Sequence, residues 1–144
     1  MGFFAKKEME KIPCLAHWMR FINCLFLDRN NIKEGLKTIL AGIEKVRRGV
    51  SVWIFPEGTR NKNEQLSDLL PFKEGSLKIA EKSGCPVVPV AISGARGLFE
   101  AHGNRTTPGT VRIRVLPPIQ TAGMSRAEQK ELPAAVRQTI LAQL

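Results

Sequence analysis

An α/β fold is predicted by short apolar runs that alternate with stretches of helical period. Ile32, Leu36, Ile39, Leu40, Ile43 and Val46 recur at helical spacing, with Lys33, Lys37, Glu44, Lys45 and Arg47 on the other face. Compact apolar runs flank that helix: Leu25-Phe26-Leu27 before it and Val50-Ser51-Val52-Trp53-Ile54-Phe55 after it. Both are strand-sized, and residues 87–92 and 111–116 add two more.

Residues 6–11 are charged, and Pro13 ends that segment. Residues 15–22, with Trp18 and Phe21, read as a short helix. The strand at 25–27 closes at Asp28-Arg29-Asn30, where Asp serves as a turn former. The amphipathic helix ends at Gly49, and the strand at 50–55 reads as buried. Residues 61–71 form a polar loop, and residues 73–83 a second helix that Gly84 stops. Pro89 interrupts the strand at 87–92, which marks an edge or a bulge. A Gly-rich loop covers 93–109. Arg112 and Arg114 alternate with apolar residues at 111–116, so that strand is read as half exposed. Ser125 and Glu128 make a capping box for a last helix, which Pro133 is expected to split.

A chain of 144 residues with 43% apolar content is one domain or part of one, with enough apolar mass for a core. The net charge is +9, from 22 Lys and Arg against 13 Asp and Glu, and the excess is spread over both halves. Such a field favours anionic partners: lipid headgroups, nucleic acid or acidic carrier proteins. Tyr is absent and Phe is not interleaved with Lys or Arg, which makes nucleic acid the weaker option. Cys14, Cys24 and Cys85 show no metal spacing and fit reduced thiols. No segment reaches the ~18 consecutive apolar residues of a membrane span. Lys6, Lys7, Lys11 and Arg20 stand near Phe3, Phe4, Trp18 and Phe21, the mixture an interfacial segment needs; a solvated face beside a core face is the plain alternative.

The chemistry-bearing stretch is Phe55-Pro56-Glu57-Gly58-Thr59-Arg60, at the exit of the third apolar run. Pro56 fixes its own φ and lacks an N–H, which suits a strand end. Gly58 permits positive φ and close backbone approach to a ligand. Thr59 offers a hydroxyl, and Arg60 a planar fork matched to phosphate oxygens. Open α/β sheets bind ligands at the carboxyl ends of strands, so the stretch reads as a phosphate-ester cradle. The plain alternative is a tight turn with an ion pair from Glu57 to Arg60 or Arg29.

Three blocks in order carry a family resemblance: Leu25-Phe26-Leu27-Asp28-Arg29, Phe55-Pro56-Glu57-Gly58-Thr59-Arg60 and Val88-Pro89-Val90-Ala91-Ile92. With Pro71-Phe72-Lys73-Glu74-Gly75 between them, they resemble the glycerolipid acyltransferases, and among these the bacterial 1-acyl-sn-glycerol-3-phosphate acyltransferases. The resemblance runs from about Ala5 to about Pro118. It implies a mixed sheet flanked by helices, of the glycerol-3-phosphate acyltransferase type. It implies acyl transfer from acyl-carrier protein or acyl-CoA to the sn-2 hydroxyl of lysophosphatidic acid, giving phosphatidic acid. No metal or other cofactor is implied beyond that acyl co-substrate. By the same resemblance Arg60 and Arg29 hold the phosphate with Gly58 and Thr59, Glu57 organises the site, and Val88, Pro89 and Val90 wall the acyl region. The implied place is cytoplasmic, peripheral at the inner face of an anionic cell membrane.

The family pattern has one further block, a His followed five positions later by an Asp, whose imidazole is the general base and whose carboxylate orients it. These residues do not contain it: Ile22 follows His17 at that distance, Thr107 follows His102, and the Asp residues are Asp28 and Asp68. No catalytic residue is therefore assigned, His17 lacking a carboxylate at that spacing. Lys6-Lys7-Glu8 resembles the segment just after the block, so the expectation is a single acyltransferase domain over 1–144 without its N-terminal part and inactive alone. Leu25–Leu27, Trp53 and Phe55 are then expected to be incompletely covered. Alternatives are a lipid-phosphate-binding remnant, or an acyltransferase for another lysolipid or for glycerol 3-phosphate.

Overall fold

The computed structural model describes residues 1–28, 31–61, 69–73, 75–103 and 105–144. Its first strand has no counterpart among the elements expected from the sequence. β1 (Gly2–Lys6) is the centre of a parallel sheet ordered β2-β1-β3, with β2 at Leu25–Leu27 and β3 at Val52–Trp53. Phe4, Ala5 and Lys6 pair with Leu25, Phe26 and Leu27, while Gly2 and Phe3 pair with Val52 and Trp53. A second, antiparallel sheet joins β4 (Val90–Ser93) to β5 (Arg112–Val115). The mixture of parallel and antiparallel pairing is thus divided between two sheets among the described residues.

A 3₁₀ turn at Lys7–Lys11 leads into α1 (Pro13–Phe21), which opens with Pro at its first turn, where a missing N–H costs nothing. α2 (Ile32–Arg47) is capped by the Asn31 side chain, which accepts from the Glu34 N–H at 3.2 Å. Gly42 lets α2 press onto its neighbours: a Cβ there would run into the side chains of Ile79 and Leu25. α3 is shorter than the 73–83 expected, Lys78–Ser83, with Gly84 as its left-handed stop. α4 (Arg126–Leu141) opens with the Ser125–Glu128 capping box.

Several expectations are corrected. Pro133 does not split α4; the helix runs through it, with Leu132 and Val136 buried on either side and holding both halves against one core. The run at 50–55 contributes only two residues to a strand, because β1 offers only Gly2 and Phe3 as partners there. It is half-buried, and Phe55 is 61% exposed. Of the helical stripe on α2, Ile43 is buried, while Ile32, Leu36 and Leu40 face outward. Pro89 does end the pairing: Val87 makes only an isolated bridge to Ile119, and β4 begins at Val90. β5 is exposed at all four residues rather than half. Leu25 is buried and Phe26, Leu27 and Trp53 half-buried, so of the uncovered candidates Phe55 stands out.

The core sits under α4. Leu77, Leu132 and Val136 are buried together, with Phe72, Val87, Ile119, Met124 and Ile140 packed against them. Full burial of a side chain such as Leu132 contributes about 1.5–3 kcal/mol by leaving water. Buried Thr121 ties this core to α3, its hydroxyl oxygen lying 2.8 Å from the Cys85 carbonyl and 3.1 Å from that of Ala80.

Candidate functional site

The Pro56–Arg60 turn leaves the carboxyl end of β3, where two-residue pairing gives way to a tight reversal. The Gly58 N–H donates to the Phe55 carbonyl at 3.0 Å, and Gly58 takes φ +69°, open to glycine at little cost. Two further bonds fasten the turn to the chain that returns alongside it. The Lys73 N–H donates to the Pro56 carbonyl at 2.9 Å, and the Leu70 N–H donates to Glu57 Oε2 at 3.0 Å.

Glu57 therefore spends its carboxylate on a backbone amide rather than on Arg60. The ion pair of Arg60 goes elsewhere, with its Nε 3.9 Å from Glu100 Oε1 in the 3₁₀ turn Glu100–His102. The Arg60 side chain is 77% exposed, and Thr59 is exposed beside it. The result is a rigid turn presenting a hydroxyl and a solvent-facing guanidinium, which can receive the oxygens of a phosphate ester bidentately. Arg29 lies outside the described residues, so of the five residues expected at a phosphate site the structure brings Glu57, Gly58, Thr59 and Arg60 into one turn.

The strut behind the turn, residues 69–73, is itself gripped from α4. Arg137 donates through Nη2 to the Leu69 carbonyl at 2.5 Å and through Nε to the Leu70 carbonyl at 3.4 Å. Sequence reasoning missed both Leu70, whose contribution is a backbone amide without a side-chain signature, and Glu100, forty residues from Arg60. Arg137 had one faint signal: a cation next to the apolar Leu132, Val136 and Ile140 series.

The other residues singled out from the sequence separate. Val88 is exposed, Pro89 buried and Val90 half-buried; Val90 pairs with Val115, and the Pro89 carbonyl accepts from the Leu116 N–H at 3.0 Å. Asp28 pairs with Lys7 at 3.2 Å. His17 is exposed on α1, edge-on to Phe21 with ring centroids 4.8 Å apart, and His102 is exposed in its 3₁₀ turn. Among the described residues neither imidazole has a carboxylate partner, and no metal-holding cluster occurs. An open hollow of about 390 Å³ lies along β2, lined in part by Lys7, Arg20, Asp28, Glu34 and Lys37. Its cations are matched by Asp28, Glu10 and Glu34, at 3.2, 3.0 and 2.7 Å. The Lys37 ammonium, by hydrogen bond and by charge, holds the Glu34 carboxyl below its usual range. Among the described residues lining the hollow, positive and negative charges balance.

Comparison with known proteins converges on one family. The Acyltransferase family model matches residues 1–93. The yeast 1-acyl-sn-glycerol-3-phosphate acyltransferase is 33% identical over 134 residues, covering 92% of this chain and 44% of that protein. The protein of the same name from Salmonella typhimurium is 33% identical over 133 residues, covering 92% and 52%. The crystal structure of PlsC, the 1-acyl-sn-glycerophosphate (LPA) acyltransferase from Thermotoga maritima, superposes with a TM-score of 0.80 at 33% identity, over 99% of this chain and 54% of that one. The chain spans about half the length of these relatives. With the family model covering most of its length, and relatives of about 33% identity over most of the chain, the chain belongs to the acyltransferase family.

Proposed function

We propose that this chain forms the acceptor-phosphate half of a 1-acyl-sn-glycerol-3-phosphate acyltransferase. The whole reaction is acyl transfer from acyl-carrier protein or acyl-CoA to the sn-2 hydroxyl of lysophosphatidic acid, giving phosphatidic acid. The observation that carries the reading is the Pro56–Arg60 turn, clamped by Glu57 to Leu70 with the Arg60 guanidinium facing solvent. Arg60 and Thr59 bind the phosphate of the acceptor, with Arg29 as a second cation, and Val88, Pro89 and Val90 line the acyl chain. The transfer itself needs a base, which the family pattern puts in a His-x4-Asp block that these residues do not contain. The chain alone therefore binds the acceptor and does not acylate it.

Exposed Trp18 and Phe21 on α1, with the net charge of +9, support peripheral contact with an anionic membrane, and no helix among the described residues is long and apolar enough to cross one. The reading is tested by comparing lysophosphatidic acid with an anionic detergent of equal charge at about 0.15 M salt, where the Debye length is about 8 Å. The folded chain prefers the phosphate ester, Arg60→Ala abolishes the preference, and Arg60→Lys restores part of it. Arg126→Ala changes both ligands slightly and equally. A folded protein without the preference, or one that keeps it after Arg60→Ala, refutes the phosphate site.

A further inference from the structure

One peptide unit stands between α4 and the phosphate turn. The carbonyl of Leu69 accepts from Arg137 Nη2, and the N–H of the same peptide, that of Leu70, donates to Glu57 Oε2 at 3.0 Å. A cation and an anion thus sit at opposite ends of a single amide. Each end polarises the other, which strengthens both bonds beyond those of a neutral pair. Arg137 Nε adds a second hold on the Leu70 carbonyl, and Phe72 packs into the core that Leu132 and Val136 of α4 build. The Lys73 N–H then returns to the Pro56 carbonyl. Residues 69–73 are therefore fixed on one side by α4 and fix the turn on the other. The family model ends at residue 93, well before α4.

We propose that Arg137 is a positioning residue for the Pro56–Arg60 turn, acting through the Leu69–Leu70 peptide on Glu57. This rests on the phosphate reading of the turn and extends it to a helix that contributes no ligand contact. Arg137 is half-buried and spends its donors on carbonyls, so its part is to set the geometry in which Glu57 and Arg60 are held.

The test uses the full 144-residue chain and two readouts. In Arg137→Gln the amides of Leu70 and Lys73 exchange with solvent faster, while those of Val87 and Ile119, which pair with each other, keep their protection. The preference for lysophosphatidic acid over the matched detergent falls about fivefold, the equivalent of one ordinary hydrogen bond. Arg137→Lys keeps one donor and recovers part of both effects, and it serves alone if the glutamine variant does not fold. Exposed Gln138→Ala leaves both readouts as in the parent. The effects of Arg137→Gln and Glu57→Gln on Leu70 exchange are non-additive, as expected for two ends of one link. Unchanged Leu70 protection overturns the proposal. So does an equal loss at all four amides, which shows a packing role only. Absence of any phosphate preference in the parent chain refutes the phosphate site, while the exchange readout still decides the link from Arg137 to Glu57.

Discussion

The Arg60 guanidinium and the Glu100 carboxylate meet at 3.9 Å across the space between the motif turn and the 3₁₀ turn Glu100–His102. Both side chains are open to solvent, so the pair is worth at most about 1 kcal/mol. A phosphate ester offers the same guanidinium more charge and two acceptor oxygens at once. On the proposed phosphate reading, Glu100 is a weak internal competitor for the Arg60 guanidinium.

Removing that competitor has a bounded effect. Glu100→Gln tightens binding of lysophosphatidic acid by no more than about fivefold, the limit set by an exposed pair. Titration of the folded chain measures it, and weaker binding in this variant shows that Glu100 supports the site.

The core prediction separates two leucines. Leu132→Ala lowers unfolding free energy by about 2–5 kcal/mol, because it empties space beneath α4 that Val136 and Leu77 also line. Leu36→Ala, on the outward face of α2, stays within about 0.5 kcal/mol. Denaturant midpoints of the two variants check the contrast.

The start of α4 is sensitive to acid. Hydrogen bonds from Ser125, its side chain first and its backbone N–H second, hold the Glu128 carboxyl below its ordinary value. A depressed carboxyl contributes stability above its unfolded pKa and loses that contribution as pH falls through the folded value. Glu128→Gln therefore removes stability at neutral pH and flattens its dependence on acid, as melting temperatures across the carboxylate range report. Ser125→Ala costs about 1 kcal/mol near neutral pH, the usual worth of an N-cap.

Lipid contact is tested on α1. Trp18 is 60% and Phe21 73% exposed. Changing both to Ser weakens sedimentation with anionic vesicles at least about tenfold, since each aromatic is worth about 1.5–3 kcal/mol when it leaves water. Added salt weakens the parent and the variant alike. Equal sedimentation of the two proteins rejects α1 as the contact.

Local signals carried the helices. Periodicity and Gly49 placed α2, Ser125 and Glu128 placed the start of α4, and Gly84 placed the end of α3. The strands were legible only where their apolar runs stood alone. Gly2–Lys6 is a strand because Leu25–Leu27 and Val52–Trp53 flank it in space, and no local pattern announces partners so distant in sequence. The outward turn of Ile32, Leu36 and Leu40 was hidden for a related reason: period shows that a helix has an apolar stripe, and packing decides how much of it is covered. At the site, the tight turn with Gly58 at positive φ was legible in the sequence. The clamp on Glu57 was not, because it is made with a main-chain N–H.

The sheet is built out of chain order. Its middle strand is made before both neighbours, so during synthesis β1 has no partner until Leu25–Leu27 and then Val52–Trp53 have followed it. Such non-local parallel pairing is slow to form, and the waiting segment carries Phe3 and Phe4 unpaired. The Phe55–Arg60 stretch comes after the last of these strands. Its turn acquires a fixed base only when β1 gains its second neighbour.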